Sequence, residues 1–128
     1  MKVILVTGAN KGIGLAIVKK LLGDYPDTHV LLGSRDEGRG RAALETIDDE
    51  VKSRVEMIQL DVTSDESVQT AVKTVVSKFG ETDALYGLIN NAGGFSDSAR
   101  ATLELNTYGL RRVCEAFLPL LSKDNGRS

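Results

Sequence analysis

The sequence predicts an α/β fold in which helices cover both faces of a parallel sheet, and three observations lead to this prediction. Short, almost wholly apolar runs alternate along the chain with stretches whose apolar residues recur at helical spacing. Runs of this kind are typical of parallel strands that are buried on both faces. No low-complexity segment, linker or charge block interrupts the alternation. Residues 1–128 are therefore predicted to form one doubly wound domain.

The first two strand–helix units occupy the N-terminal part of the chain. Residues 3–6 predict the first strand, and a segment punctuated by glycines connects it to the first helix. The apolar positions of that helix are Leu15, Ile17, Val18, Leu21 and Leu22. Gly23 is expected to end it. Residues 30–32 predict the second strand, and a polar turn follows. The apolar positions of the second helix are Ala42, Ala43, Leu44, Ile47 and Val51.

The third and fourth units repeat this plan. Residues 55–60 predict the third strand, and residues typical of helix caps at 63–66 predict the start of the third helix. Its buried positions are Val68, Ala71, Val72, Val75, Val76 and Phe79. Residues 85–89 predict the fourth strand. A long helical pattern then runs from 98 to 121, where Pro119 is expected to bend or end the helix.

The expected spatial order of the strands is 3-2-1-4, because right-handed crossovers place successive parallel strands outwards from the first. With about four strands the sheet would be incomplete, and the fourth strand would form an exposed edge. The turn-like residues at 125–128 stand where another strand would begin. An uncovered apolar edge tends to pair with another chain. We therefore expect an interrupted domain in which this edge could support self-association.

Composition and charge exclude several function classes. The 128 residues carry a formal net charge of −2, which gives no reason to expect nucleic acid or an anionic membrane as a partner. No apolar run is long enough to span a membrane or to form a signal-peptide core. One cysteine and one histidine can form neither an internal disulfide nor a zinc cage. Cys114 is expected to be a buried, inert thiol, and the protein is expected to be cytoplasmic.

The segment at 7–14, between the first strand and the first helix, is the most informative motif. Its glycines, Gly8, Gly12 and Gly14, follow the pattern G-x-x-x-G-x-G. A loop of this kind lets backbone N–H groups and the positive end of the helix face a diphosphate. The segment lacks the G-K-[ST] ending of a P-loop, which disfavours a nucleoside triphosphatase. The position between strand and helix predicts a Rossmann-type dinucleotide site.

Four segments, in order, carry a family resemblance. They are Thr7 to Gly14, Leu60-Asp61-Val62-Thr63, Asn90-Asn91-Ala92-Gly93 and Asn106-Thr107-Tyr108-Gly109. Together they resemble the motifs of short-chain dehydrogenases/reductases over nearly the whole chain. Three further segments resemble the carbonyl-reductase-like branch of that family: Asn10-Lys11, Ser34-Arg35-Asp36 and Arg39-Gly40.

The residues that follow the second strand decide the cofactor prediction. A guanidinium there favours the 2′-phosphate of NADP(H), whereas a carboxylate favours the free hydroxyls of NAD. Arg35, with Lys11 and Arg39 beside it, therefore predicts NADP(H), and Asp36 is expected to point away. The resemblance implies that Asp61 binds the adenine amino group and that Asn90 ties neighbouring strands together. The full set of implied cofactor-binding residues is Gly8, Asn10, Lys11, Gly12, Ile13, Gly14, Arg35, Arg39, Asp61, Val62, Asn90, Ala92 and Gly93.

The resemblance also implies catalytic residues that this sequence lacks. The family reduces carbonyls with a serine and with a tyrosine that is followed at +4 by lysine. The three tyrosines here are followed at +4 by His29, Asn90 and Arg112. Asn106 is the one residue that matches the family's catalytic pattern, and the stretch from Gly93 to Asn106 is shorter than is usual. The pair Tyr108 and Arg112 is expected to serve packing and surface charge.

Three functional hypotheses remain open at this point. The chain is a fragment of an NADPH-dependent carbonyl reductase, whose complete form would act on a small-molecule carbonyl substrate. Alternatively, it is a non-catalytic dinucleotide-binding module or a subunit completed by another chain. A fold without any ligand is the third hypothesis, and the intact phosphate and adenine motifs argue against it. In each case the chain alone is predicted to be catalytically inactive.

Overall fold

The computed structural model describes residues 2–80, 84–92 and 109–121. Within these ranges four parallel strands form one sheet in the order β3-β2-β1-β4. The strands are β1 (Lys2–Val6), β2 (Thr28–Ser34), β3 (Val55–Gln59) and β4 (Gly87–Ile89). The helices are α1 (Gly12–Asp24), α2 (Glu37–Glu45), α3 (Asp65–Phe79) and α4 (Gly109–Phe117). The predicted fold class and strand order are therefore confirmed.

Two hydrophobic cores lie on opposite faces of the sheet because successive strand residues point to opposite sides. In β1, Leu5 faces the core that α3 and α4 cover, together with Val68 and Phe117. Its neighbour Val6 faces the other core, which α1 and α2 cover. The register pairs Leu5 with Leu31 and Val6 with Leu32, so each strand contributes to both cores. This alternation explains why residues 3–6 of β1 and residues 30–32 of β2 are continuously apolar.

Two helix ends differ from the sequence prediction. Gly23 does not end α1, which continues to Asp24, where the backbone N–H of Tyr25 donates to the carbonyl of Leu21 at 3.0 Å. The guanidinium of Arg54 caps this end by donating to three carbonyl groups. Its acceptors are the oxygens of Leu22 at 2.6 Å, Thr28 at 2.9 Å and Tyr25 at 3.2 Å. The helix end is thus fixed by a residue 32 positions beyond Leu22 in the chain.

The second helix is displaced towards the N-terminus relative to its prediction. It begins at Glu37 because the Asp36 side chain accepts a hydrogen bond from the backbone N–H of Arg39 at 2.8 Å and so caps it. It ends at Glu45, so Ile47 and Val51 do not belong to it. Ile47 is nevertheless buried in the core on this face of the sheet. The apolar pattern correctly indicated burial there and wrongly indicated helix.

The last helix and the start of β4 also differ from the prediction. Helix α4 ends at Phe117, and a 3₁₀ turn (Leu118–Leu120) that contains Pro119 follows it. Residue 85 lies outside β4. Instead, the backbone N–H of Leu85 donates to the carbonyl of Leu120 at 2.9 Å, and Leu85 forms a parallel bridge with Leu121. The chain thus returns after α4 to the residues just before β4, whereas within the described ranges β4 itself pairs with β1 alone. The predicted start of the helix, at 98–108, falls outside the described residues.

No helix in the described part of the chain is both long and apolar enough to cross a membrane.

Candidate functional site

The candidate site lies at the carboxyl ends of the strands, where the direction of winding reverses. The chain passes from β1 outwards to β2 and β3, and then crosses back to place β4 on the other side of β1. In open α/β sheets a crevice forms at such a reversal and receives the ligand. The loops after β1 and β4 lie on either side of this reversal, and the loops after β2 and β3 follow at the same edge of the sheet.

The glycine loop after β1 takes a shape that only glycine adopts readily. Gly8 and Gly12 both have a φ of +59°, in the left-handed region. A methyl group added to Gly14 would lie 2.4 Å from the carbonyl oxygen of Gly8 and 2.5 Å from Nδ2 of Asn91. One added to Gly12 would meet nothing within 4 Å. Gly14 is thus needed for close packing, whereas Gly12 borders open space.

Helix α1 presents its N-terminus to that open space. Lys11 occupies the N-cap position, and its side chain makes no capping hydrogen bond. The first N–H groups of a helix have no partner within the helix and carry its positive end. The side chain of Ile13 is 74% exposed beside them. This combination of N–H donors and open space suits an anionic group such as a diphosphate.

Thr7 and Asn91 join the ends of β1 and β4 under the loop. The Thr7 side chain is buried, and its Oγ1 accepts hydrogen bonds from the backbone N–H groups of Asn91 and Ala92, both at 3.0 Å. The side-chain Nδ2 of Asn91 donates to the carbonyl of Gly8 at 3.0 Å. These three bonds hold the glycine loop against the end of β4. Both residues lie inside the quoted motifs, although the sequence analysis did not assign them to the site.

The tie between strands that was expected from Asn90 is made by Asn91. The Nδ2 of Asn90 instead donates to Sγ of Cys114 on α4, at 3.6 Å. Asn90 therefore connects the end of β4 to a helix. Cys114 is a free cysteine and is half-buried, so its side chain is less buried than expected.

Two exposed arginines follow β2. Arg35 lies two residues before α2 and Arg39 lies in its first turn, and in the described ranges neither guanidinium forms an ion pair. The carboxylate of Asp36 accepts a hydrogen bond from the backbone N–H of Arg39, so it faces the N-terminal end of α2. The Oγ of Ser34 donates to the backbone carbonyl of Asp36 at 2.7 Å. The positive groups at this end of the sheet are thus available to an anion.

The loop after β3 is held in a defined turn. Oδ1 of Asp61 accepts hydrogen bonds from the backbone N–H of Thr63 at 2.9 Å and from its hydroxyl at 2.6 Å. Val62 is buried, and its carbonyl accepts from Nη1 of Arg112 at 2.6 Å. The Nε of Arg112 also donates to Asp65, the first residue of α3. Arg112, expected to be surface charge, therefore fixes this loop to α4.

Most of the predicted site residues are described, and they lie in loops at one edge of the sheet. Gly8, Asn10, Lys11, Gly12, Ile13 and Gly14 lie in the loop after β1 or the first turn of α1. Ala92 lies beside Gly8, because the methyl group added to Gly8 would meet its Cα at 2.8 Å. Gly93, Asn106 and Tyr108 fall outside the described residues. No group of three or more potential metal ligands occurs within the described ranges.

Three comparisons place this arrangement among known proteins. A family model described as short chain dehydrogenase matches residues 2–127. The chain is 38% identical over 136 residues to the carbonyl reductase (NADPH) 1 of Macaca fascicularis, covering 99% of this chain and 47% of the relative. The menthone neomenthol reductase structure from Mentha piperita superposes with a TM-score of 0.82 at 31% identity, covering 94% of this chain and 56% of that one.

A second solved structure contains the nucleotide. The L-sorbose reductase of Gluconobacter frateurii, complexed with NADPH and L-sorbose, superposes with a TM-score of 0.76 at 29% identity. The match covers 92% of this chain and 46% of that one. The chain thus spans about half the length of the relatives that it matches.

Proposed function

The chain belongs to the short-chain dehydrogenase family, and on that premise we propose that it binds NADP(H) at the carboxyl edge of its sheet. The observation that carries the proposal is the glycine loop. Gly12 opens α1 in a left-handed conformation with open space before it, and the uncapped helix N-terminus borders that space. The diphosphate of a dinucleotide fits this combination of N–H donors and room.

The preference for a 2′-phosphate rests on the residues after β2. Arg35 and Arg39 supply exposed guanidinium groups. A guanidinium can donate two parallel N–H hydrogen bonds to the oxygens of one phosphate. The carboxylate that would repel the phosphate, Asp36, is oriented to the N-terminus of α2. The names of the carbonyl reductase and of the L-sorbose reductase complex both include NADPH, which supports the same preference.

In a complete protein the proposed activity is the reduction of a small-molecule carbonyl. When bound, the nicotinamide supplies the hydride for such a reaction. The residues of this chain would orient it: Thr7 and Asn91 fix the loop that faces the diphosphate, and Asp61 and Val62 form the adenosine side. None of the three tyrosines is followed at +4 by lysine, so we propose that these 128 residues hold the nucleotide without turning over a substrate.

A subunit completed by another chain is the second candidate. In the described ranges β4 pairs with β1 alone, and the bridge between Leu85 and Leu121 lies just before the strand. Strand edges with free N–H and carbonyl groups pair readily with a further strand. Self-association or pairing with a second polypeptide through this edge would supply that strand. Sedimentation velocity over a range of concentrations separates this candidate from a monomeric nucleotide-binding chain.

The cofactor proposal is tested by calorimetric titration of the purified chain with NADPH and with NADH. We expect NADPH to bind more tightly, and Arg35→Ala to reduce this preference about tenfold or more, since charge-assisted phosphate contacts contribute about 1.5–3 kcal/mol. Arg41→Ala is the matched control, because Arg41 is an exposed arginine of α2, close in the chain to Arg35, that faces Glu37 at 3.9 Å. Equal affinity for both nucleotides, or an equal effect of the two substitutions, would contradict the proposal.

A further inference from the structure

A continuous chain of hydrogen bonds joins the loop after β2 to the loop after β3. The Nε2 of Gln59 donates to the carbonyl of Arg35 at 3.1 Å. The Oε1 of Gln59 accepts from the hydroxyl of Ser67 at 2.9 Å. The Ser67 oxygen in turn accepts from the backbone N–H of Asp61 at 2.8 Å. Arg35 and Asp61 are therefore linked through two side chains that were not in the predicted site.

The two linking side chains use their donors and acceptors in one consistent direction. An amide offers both a donor and an acceptor, and a hydroxyl can donate once while it accepts. Gln59 is the last residue of β3 and Ser67 lies in the first turn of α3. Gln59 is exposed, so it contributes little to either core. Gln59 therefore contributes to the structure through its two hydrogen bonds rather than through apolar packing.

We propose that Gln59 and Ser67 are positioning residues that set the preference for a 2′-phosphorylated nucleotide. The inference rests on the proposed function, in which Arg35 meets the 2′-phosphate and Asp61 lies at the adenine. Gln59 anchors the peptide from which the long Arg35 side chain projects, and Ser67 fixes that anchor relative to Asp61. The distance between the Arg35 peptide and the turn at Asp61 is thereby restricted before the nucleotide binds, which lowers the entropy cost of ordering this side of the site.

The readout is the ratio of the dissociation constants for NADH and NADPH. Gln59→Leu keeps a similar volume and removes the donor to Arg35. We expect it to lower the ratio about fivefold, the effect of losing one ordinary hydrogen bond. Gln69→Leu makes the same change at an exposed position of α3 and is expected to leave the ratio unchanged. A merely structural role for Gln59 would weaken both nucleotides alike, so the ratio would not move.

A double-mutant cycle tests whether Gln59 acts through Arg35. In the Arg35→Ala background, Gln59→Leu is expected to have no further effect on the ratio, because the side chain that it positions is absent. An equal loss with and without Arg35 would overturn the inference, and so would an unchanged ratio in the single variant. A wild-type chain that binds NADPH and NADH equally would contradict the proposed function itself. That result can be told apart from a failure of the inference about Gln59, because it is measured on the wild-type chain.

Amide hydrogen exchange supplies a measurement that needs no nucleotide. Ser67→Ala removes the acceptor of the Asp61 N–H, so exchange at this amide is expected to accelerate. Gln59→Leu is expected to accelerate it less, since it loosens the Ser67 hydroxyl without removing it. Unchanged exchange at Asp61 in both variants would overturn the proposed link.

Discussion

Gly12 and Gly14 are required in the glycine loop for different physical reasons. Gly14 is buried, and any side chain there would overlap the Gly8 carbonyl at 2.4 Å. Gly12 has room for a side chain, but its φ of +59° disfavours one, and the free space lies in front of α1. The motif pattern indicated that both glycines belong to the loop but did not distinguish their roles. The roles differ because Gly14 contacts the Gly8 carbonyl and Asn91, whereas Gly12 has no such neighbours.

Alanine substitutions should separate packing from binding at these two positions. We expect Gly14→Ala to lower the free energy of unfolding by about 2 kcal/mol or more, through overlap with the backbone. Gly12→Ala should cost about 1–2 kcal/mol, the strain of a left-handed conformation, and should weaken NADPH binding out of proportion to this cost. Urea unfolding and calorimetry measure the two effects. Normal NADPH affinity in Gly12→Ala would show that the diphosphate does not lie there.

Glu56, on β3, has a side-chain pKa below its ordinary value of 4.5. Burial would raise this pKa, but hydrogen bonds from Lys78 and His29 outweigh the burial and lower it. His29 contacts one carboxylate oxygen at 2.9 Å, and Lys78 contacts the other. Because the pKa is lower in the folded state, Glu56 stabilises the fold at pH values above its unfolded pKa.

This contribution should be lost as the pH falls through the lowered pKa of Glu56. We expect Glu56→Gln to be less stable than the wild type near neutral pH and to lose less stability on acidification. Thermal unfolding between neutral pH and pH values below 4.5 tests this expectation. Glu50→Gln, a change at an exposed carboxylate outside the helices and strands, is the matched control. Parallel stability curves for the wild type and Glu56→Gln would refute the assignment.

At the scale of the elements, Arg112 connects α4 to the loop between β3 and α3. Its side chain is 20% exposed and donates to the Val62 carbonyl and to Asp65. Arg112 was predicted to lie at the surface. Its contact with Val62 spans a separation of 50 residues, and no local sequence pattern indicates such a contact. A cation that binds a carbonyl in a partly buried setting is more stabilising than an exposed ion pair.

Arg112→Ala should therefore destabilise the chain more than the same change at its neighbour. We expect a loss of about 1.5–3 kcal/mol in the free energy of unfolding for Arg112→Ala. Arg111→Ala should cost much less, since Arg111 is exposed and its ion pair with Glu115, one turn along the helix at 2.8 Å, is surrounded by solvent. Urea denaturation compares the two variants. Equal losses would mean that the Arg112 contacts contribute nothing beyond surface charge.

Helix boundaries depended on side-chain hydrogen bonds that apolar periodicity does not encode. The end of α1 was placed one residue early because Gly23 is a common stop signal, whereas Arg54 holds the last carbonyl groups of the helix. The start of α2 depends on the Asp36 cap, which the apolar pattern could not show. The existence of the strands and helices in the described ranges followed from periodicity, because the sheet is buried on two faces. The spatial order of the strands followed from the handedness of their crossovers.

At the scale of the whole molecule, the two cores make the sheet a rigid support for loops at one edge. Four loops meet there because parallel strands place all their carboxyl ends together. Hydrogen bonds through Thr7, Asn91 and Gln59 then join neighbouring loops. The proposed site therefore requires the entire sheet, and a change in any one loop is expected to affect its neighbours.

The chain of 128 residues is expected to bind NADPH without oxidising it. A proton donor is needed for carbonyl reduction, and no tyrosine here has lysine at +4. NADPH absorbance in the presence of a ketone or a quinone measures turnover, with a complete carbonyl reductase as the positive control. Oxidation that rises with the concentration of the chain and disappears in Arg35→Ala would contradict the proposal.

The sequence by itself determined the fold class, the strand order, the family and the position of the glycine loop. These follow from local periodicity and from motifs that are contiguous in the chain. Tertiary structure alone decided that Asn91 rather than Asn90 joins β4 to the glycine loop, that Arg112 fixes the loop after β3, and that Gln59 and Ser67 link Arg35 to Asp61. The physical reason is directional: a hydrogen bond forms where a donor and an acceptor meet, and only the folded sheet brings these distant groups within 3 Å or so of one another.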